Sequence, residues 1–170
     1  MIRGQDIVVL LSLVGLDDRF SIRELAADVA LPPASTHRSL TSLEQARLYD
    51  RRRRRVPLAA AEEFLVHAVK YMFAAHMGTE TRGIAAAWAA EPLVSALAPT
   101  GELPPVWPDP AGTVRGLALE PLHPVAIAAA GRDPVVARRL ALVDTLRAGD
   151  ARLREIAVEA LLADLRGTAR

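Results

Sequence analysis

The chain has 170 residues, of which 51% are apolar, enough to bury the core of one domain or of a small domain with an extension. Its 21 basic and 20 acidic side chains nearly cancel, so the net charge of +1 neither indicates nor excludes a nucleic-acid partner. Cysteine is absent, which excludes disulfides, thiolate catalysis and the usual zinc frameworks, and favours a reducing, cytoplasmic location.

Charge is distributed unevenly along the chain. Residues 1–60 carry ten arginines and seven acids, a balance of +3, whereas residues 61–170 carry 11 basic and 13 acidic groups, a balance of −2. The basic excess therefore lies near the N-terminus, where any polyanion would be expected to bind.

Two helices are predicted at the N-terminus. The first runs from about Gln5 to Leu16, and its apolar stretch is too short to span a bilayer, so we expect it to pack in a core. The second begins at Ser21, because Ser21 and Glu24 form an S-x-x-E capping box that satisfies backbone donors at a helix start. Its apolar residues recur at helical spacing and predict one buried stripe: Ile22, Leu25, Ala26 and Val29.

A turn and a third helix follow. Pro32 and Pro33 interrupt the second helix, and a proline suits the first turn of a new helix, which we expect to span Pro33 to Ala46. The spacing buries Thr36, Leu40 and Leu43. The predicted outer face carries short or flat polar groups that can approach base edges and phosphates: Ser35, His37, Arg38, Ser39, Thr41 and Ser42.

Five consecutive arginines, Arg51 to Arg55, come directly after this helix. The pattern predicts a short strand after Leu48 and Tyr49, a turn through the arginines, and a second strand at Val56 to Leu58. Like charges in a row repel one another unless a polyanion lies nearby, so this ribbon is expected to contact phosphates.

The middle of the chain predicts a fourth helix from about Ala59 to Met77 and a short helix around Ile84 to Ala98. A Pro-rich loop, a turn at Asp109 to Gly112 and a strand near Val114 to Leu119 are expected next.

Two further helices are predicted at the C-terminus. Asp133 and Pro134 form an N-cap and first-turn pair, and the helix they start is expected to end at Gly149. Asp150 caps a last helix that runs to about Arg166. The short connection predicts an antiparallel helical hairpin.

Residues 25–51 read LAADVALPPASTHRSLTSLEQARLYDR and resemble the winged helix–turn–helix of MarR-type and related bacterial transcriptional regulators. The resemblance implies a recognition helix in the DNA major groove and a wing that reaches the minor groove or backbone. It also implies a homodimer on an inverted-repeat operator. The positions that it assigns to DNA are Ser35, His37, Arg38, Thr41 and Ser42 on the helix and Arg51, Arg52, Arg53, Arg54 and Arg55 in the wing.

The chain departs from the family pattern at two positions that usually hold glycine. Ala30 occupies the turn and Arg47 follows the recognition helix. A left-handed residue at either position would cost about 1 kcal/mol relative to glycine.

We therefore expect a mainly α fold with a small β-ribbon wing, built as a winged helix–turn–helix with a C-terminal helical extension. Residues 1–77 would form the DNA-binding domain with its following helix. Residues 78–170 would form a Pro-rich connector and a helical hairpin for dimerisation, effector or partner binding. The expected function is a sequence-specific transcriptional regulator, most simply a repressor, that is not an enzyme and uses no cofactor or metal.

Other interpretations remain open. A protein-interaction module, such as an antitoxin-like or adaptor subunit that binds a partner through the C-terminal helices, is the alternative function. The arginine run fits a solvated loop or a contact with an acidic protein, and its first and last members can pair with Asp50 or Glu44. Trp88 and Trp107 fit core packing or the lining of an effector pocket.

Overall fold

The computed structural model describes residues 1–16, 18–99 and 101–168, and within them helices predominate beside one small sheet. The helices are α1 (Gly4–Leu13), α2 (Ile22–Asp28), α3 (Pro33–Gln45), α4 (Leu58–Glu63), α5 (Val69–Met72), α6 (Leu93–Ala96), α7 (Val125–Arg132), α8 (Pro134–Ala148) and α9 (Ala151–Thr168). The strands are β1 (Met77–Ala85), β2 (Pro105–Pro108) and β3 (Val114–Leu119).

Helix α1 is the central element of the core. Its residues from Ile7 to Leu11 are all fully buried, and it contacts α2, α3, α7 and α8. The helix is apolar on nearly every side, as a helix enclosed by others must be. It ends at Leu13, three residues before the predicted end, because Val14 adopts an extended backbone.

The turns that end α2 and α3 share one geometry. Ala30 and Arg47 both have positive φ angles, 55° and 61°. The Leu31 amide donates to the Ala26 carbonyl at 3.0 Å, and the Leu48 amide donates to the Leu43 carbonyl at 2.8 Å, as in a Schellman motif. Both sites where the sequence lacks the usual glycine are thus left-handed.

A short hairpin follows α3. Asp50 and Arg55 exchange two backbone hydrogen bonds, of 2.8 and 3.2 Å, around the turn formed by residues 51–54. The predicted second strand at Val56 to Leu58 is wrong, because Leu58 already begins α4. Pro57 directly precedes α4, and its nitrogen carries no hydrogen to donate to a strand ladder.

One nearly continuous helical segment leads from the hairpin towards the sheet. Between α4 and α5, residues Phe64–Ala68 form a π-helical stretch, in which the Val69 amide donates to the Phe64 carbonyl. The segment ends at Met72, where Phe73 leaves the helical conformation, so the predicted end at Met77 is too late. Met77 instead begins β1.

The small sheet contains one strand that the sequence predicts, β3, and two that it does not, β1 and β2. β1 pairs antiparallel with both β2 and β3, which pair with each other in parallel, so the three strands close on themselves. Such close approach requires glycine, since a Cβ at Gly83 would collide with the Trp107 carbonyl and one at Gly116 with the Pro104 carbonyl. The predicted helix from Ile84 to Ala98 is confirmed only in part, since Ile84 and Ala85 belong to β1, Ala87–Ala89 form a 3-10 turn and Leu93–Ala96 form α6. The strand at Val114–Leu119 is confirmed.

The predicted C-terminal helical hairpin is present. Asp133 accepts a hydrogen bond of 2.7 Å from the Val135 amide at the start of α8, and Gly149 follows its last residue. Asp150 accepts one of 2.8 Å from the Leu153 amide at the start of α9. Helix α7, which precedes the hairpin, was not predicted.

One cluster of buried apolar side chains runs from α1 through the sheet to α9. The predicted domain boundary between residues 77 and 78 falls within β1, after its first residue. Helices of the N-terminal part pack directly on those of the C-terminal part, as α1 does on α8. In the described ranges, none of the helices combines the length and the apolar character needed to cross a bilayer.

Candidate nucleic-acid interface

The outer face of α3 carries most of the polar residues predicted for it. Thr36, Leu40 and Leu43 are buried, as the helical spacing predicts. His37 and Arg38 are exposed, and the remaining three candidates are half-exposed: Ser35, Thr41 and Ser42. The helix therefore presents hydroxyls, an imidazole and one guanidinium on the side away from the core.

Ser39 is the exception and does not belong to this face. It is fully buried, and its hydroxyl accepts a hydrogen bond of 3.1 Å from Gln5 Nε2 of α1. Its prediction as an outward residue is wrong, because position 39 lies three residues after Thr36 and four before Leu43 on the same helical stripe. The contact instead fixes α3 against α1.

Arg38 and Ser35 are already paired on the exposed surface. Arg38 Nη2 donates to Ser35 Oγ at 2.8 Å, one helical turn apart. An exposed neutral partner costs little to exchange for another acceptor, and a phosphate, being ionised, is a stronger one. The first turns of α3 thus hold a guanidinium and a hydroxyl side by side.

Arg51 links the hairpin to α3. Its Nε donates to Glu44 Oε2 at 2.5 Å, and its Nη2 donates to Thr41 Oγ1 at 3.2 Å. Thr41 Oγ1 in turn donates to the His37 carbonyl at 3.1 Å. The arginine run therefore starts at a fixed position relative to the polar face, and Arg51 is committed to contacts within the chain.

Arg54 holds the hairpin from the other side. Its Nε donates to the Asp18 carbonyl at 2.5 Å, a second nitrogen donates to the Phe20 carbonyl, and its guanidinium lies 4.5 Å from the Phe20 ring centroid. Its φ of 49° turns the side chain back towards the segment between α1 and α2. Arg54 thus clamps the hairpin to the body of the protein.

The other three arginines of the run point outward. The Arg53 side chain is 68% exposed and its Nε lies 3.9 Å from Asp50. Arg52 and Arg55 are exposed, and their side chains form no hydrogen bond or ion pair with any described residue. Arg52 and Arg55 are therefore exposed without a side-chain partner among the described residues, and Arg53 is exposed with a long ion pair to Asp50.

Asp50 supports the base of the hairpin. Its Oδ1 accepts a hydrogen bond of 3.0 Å from the Arg53 amide. This bond is the largest of the effects that hold the pKa of Asp50 below its ordinary value. A bond from the Arg52 amide and the nearby charges of Arg53 and Arg55 act in the same direction, whereas desolvation acts against them. The same carboxylate also lies 3.9 Å from Arg53 Nε, so it partly neutralises that arginine.

Several residues that organise this surface were missed in the sequence analysis. Gln5 orients α3, and the acceptors for Arg54 are main-chain carbonyls at Asp18 and Phe20. A main-chain carbonyl acceptor cannot be identified from the residue type, since every residue carries one. The sequence analysis offered Asp50 and Glu44 as partners for the first and last arginines, and the first, Arg51, does pair with Glu44.

Two arginines from the C-terminal part support the helices beneath this surface. Arg132, at the end of α7, donates to the Ala27 carbonyl in α2. Arg139 of α8 donates to the carbonyls of Leu11 and Val14, at 2.6 and 2.8 Å, at the end of α1. The C-terminal part therefore positions both helices that carry α3.

Comparison with known proteins adds no family assignment. No protein-family model, curated protein or solved structure matches the chain. Within residues 1–16, 18–99 and 101–168, no three histidine, aspartate or glutamate side chains form a group suited to a metal ion.

Proposed function

We propose that this protein is a sequence-specific DNA-binding regulator of transcription, acting as a homodimeric repressor in the bacterial cytoplasm. In this proposal α1–α3 and the hairpin form a winged helix–turn–helix, α3 enters the major groove, and the hairpin contacts the adjacent backbone or minor groove. The resemblance of residues 25–51 to MarR-type regulators is the reason for proposing a dimer and an inverted-repeat operator.

One observation carries the proposal. The exposed polar face of α3 and the arginine hairpin are joined by Arg51, which bonds both Glu44 and Thr41, so that a groove-sized helix and a group of cations share one surface. DNA recognition needs both parts, because phosphate contacts supply affinity and base contacts supply specificity.

The contacts divide the ten candidate residues by role. Arg38 is the candidate for reading a base, with His37, Thr41 and Ser42 for bases or phosphates and Ser35 for a phosphate at the helix start. Arg52, Arg53 and Arg55 are the candidates for phosphate contact. Arg51 and Arg54 are positioning residues, since both are bonded within the chain.

The salt dependence of binding tests this division. If three arginines per hairpin neutralise phosphates, two hairpins give a slope of log K against log salt of about −5 from the wings, whereas four per hairpin would give about −7. Replacing Arg52, Arg53 and Arg55 by alanine should weaken binding to every DNA sequence and remove that slope. Arg38→Ala should instead erode preference for one sequence. Gel-shift titrations against the DNA upstream of the chain's own gene, at several salt concentrations, measure both quantities.

A matched control removes three arginines from other elements. Arg115, Arg152 and Arg166 lie on β3 and α9, so their replacement by alanine lowers the net charge equally without touching α3 or the hairpin. Unchanged affinity in the hairpin variant, or an equal loss in the control, would contradict the proposed interface.

A protein-interaction module remains the second candidate, favoured by exposed apolar residues around the end of α5. Tyr71 is 78% exposed and Met72 50%, and large side chains of this kind are common in interfaces. An antitoxin-like or adaptor subunit would co-purify with a stoichiometric second polypeptide. A homodimer by light scattering, with Tyr71→Ser shifting it to monomer, would assign these residues to self-association instead.

A further inference from the structure

A cavity of about 400 Å³ lies between the sheet and helices α7 and α8. This volume falls in the range of small-molecule sites in proteins. Small residues from three elements form most of its wall and leave the space open: Ala85, Ala86, Ala130, Gly131, Ala137 and Ala141.

Larger apolar groups complete the wall. Ile84, Ile127 and Trp107 also line the cavity, and Ile84 is 39% exposed whereas Trp107 is almost completely buried. The Trp107 N–H already donates to buried Asp144 Oδ2 at 2.7 Å, so it is not a free donor for an occupant. An occupant is therefore recognised by shape and apolar contact.

The two charged residues that line the cavity are engaged elsewhere. Arg138 donates from Nε and Nη2 to Asp164 Oδ1, at 3.2 and 2.8 Å, and Glu91 accepts a hydrogen bond from Ser95. An anion would have to displace Asp164 and approach Glu91, whereas a cation would have to approach Arg138. A neutral occupant experiences neither of these unfavourable charge interactions.

We propose that this cavity binds a small, uncharged and largely apolar molecule, and that its occupancy changes the DNA affinity of α3. The coupling part rests on the proposed function; the binding part does not.

Two contacts connect the cavity to the helices that carry α3. Gly131 lines the cavity, and the next residue, Arg132, donates to the Ala27 carbonyl of α2. Arg138 also lines it and shares Asp164 with Arg139, whose Nε lies 2.6 Å from Asp164 Oδ2.

Arg139 in turn holds the carbonyls of Leu11 and Val14 at the end of α1. An occupant that moves α7 or α8 against the sheet therefore displaces acceptors on α1 and α2 directly. A site can influence a distant one only through such differential contacts.

The binding step is tested with three single-ring probes that differ in charge: toluene, benzoate and benzylammonium. In the Trp88→Phe protein, Trp107 is the sole tryptophan, and its indole N–H gives one resonance in a proton–nitrogen correlation spectrum. We expect toluene to shift this resonance and the two ions to leave it unchanged at the same concentration.

Two variants should block the effect. Ala137→Leu adds bulk to the cavity wall from α8, and Gly131→Leu adds it from α7, where an added Cβ meets no atom within 4 Å. Ala128→Leu adds the same bulk at an exposed position of α7 and should leave the toluene response intact. Absence of a shift with toluene, an equal shift with either ion, or a shift that survives in both blocking variants would overturn the binding proposal. A shift that depends on protein concentration without any probe would overturn it too, by assigning the cavity to a second copy of the chain.

The coupling step is tested by operator titrations with and without saturating toluene. We expect at least about a fivefold change in affinity for the intact protein. Arg132→Ala removes one of the two contacts, so it should keep the Trp107 shift but reduce the toluene effect on DNA. Unchanged affinity of a toluene-bound protein would overturn the coupling. A protein that binds no DNA would refute the proposed function, while the resonance alone would still decide the binding proposal.

Discussion

Arginine has opposite roles in the two halves of this molecule. In the hairpin after α3, Arg52, Arg53 and Arg55 are exposed and outward. In the C-terminal helices, Arg139 and Arg147 are almost completely buried and bond to several elements at once. The comparison teaches that residue type alone says little about an arginine's role, because the cost of desolvation forces a buried one to find partners and leaves an exposed one free to meet a ligand.

The interior role is clearest at Arg147. Its Nη1 lies 2.5 Å from Asp144 Oδ1, and its Nε donates to the Phe73 carbonyl at 2.7 Å. Burial raises the pKa of Asp144, while Arg147 and the Trp107 N–H act in the opposite direction. The pair joins α8 to the end of α5 and to β2, so it organises the part of the fold that surrounds the cavity.

The largest expected effect separates the two roles directly. Arg147→Ala leaves the Asp144 carboxylate buried without its cation and should lower the free energy of unfolding by about 3–5 kcal/mol. Arg52→Ala, the same substitution on the exterior, should change it by less than about 0.5 kcal/mol. Urea denaturation followed by circular dichroism measures both. Similar values for the two variants would refute the contrast.

A smaller effect, with a defined pH dependence, is expected at Asp164. Burial by itself would raise the pKa of this carboxyl, but hydrogen bonds from Arg139 and Arg138 outweigh it and hold the pKa below its ordinary value. Its stabilising contribution is therefore present above the ordinary carboxyl pKa of about 3.9 and is lost as pH falls through the lowered folded-state value. Asp164→Asn should cost about 2 kcal/mol at neutral pH.

Denaturation midpoints across the acid range test this sign. The difference in denaturation midpoint between the intact protein and Asp164→Asn should become smaller as the pH is lowered. A difference that stays constant with pH would show that the carboxylate charge is not what stabilises the contact.

The smallest effect concerns the two left-handed residues in the turns that end α2 and α3. Ala30→Gly and Arg47→Gly should each stabilise the fold by about 1 kcal/mol, because glycine adopts the left-handed conformation without steric cost. Ala27→Gly, inside α2, is the matched control and should destabilise by about 0.5–1 kcal/mol. Thermal melting should show a higher melting temperature for the two turn variants and a lower one for Ala27→Gly. A lower melting temperature for both turn variants would mean that the left-handed turns carry no strain.

Signals that act within a few residues were sufficient to predict several elements. The Ser21–Glu24 capping box starts α2, with the Glu24 amide donating to Ser21 Oγ at 3.1 Å, and Pro33 opens α3 as expected. Asp133 and Asp150 likewise mark the starts of α8 and α9. Such caps are visible in sequence because donor and acceptor lie three or fewer residues apart.

Strands β1 and β2 were missed because their stabilising contacts are distant in sequence. β1 ends in a run of alanines that favours helix, yet Gly83 pairs with Pro108 on one side and with Val114 on the other. Helix propensity is a weak preference that tertiary pairing overrides. The burial of Ser39 against Gln5 was missed for the same reason.

By itself, then, the sequence determined where α2, α3, α8 and α9 begin and that a polar helix face precedes a run of arginines, since caps, periodicity and charge are local properties. Only the tertiary structure decided which arginines are outward, which clamp the hairpin and which are buried, and that a cavity lies between sheet and helices. Those outcomes depend on burial and on main-chain carbonyl acceptors that the fold brings together from distant parts of the chain. Neither can be deduced from residue type.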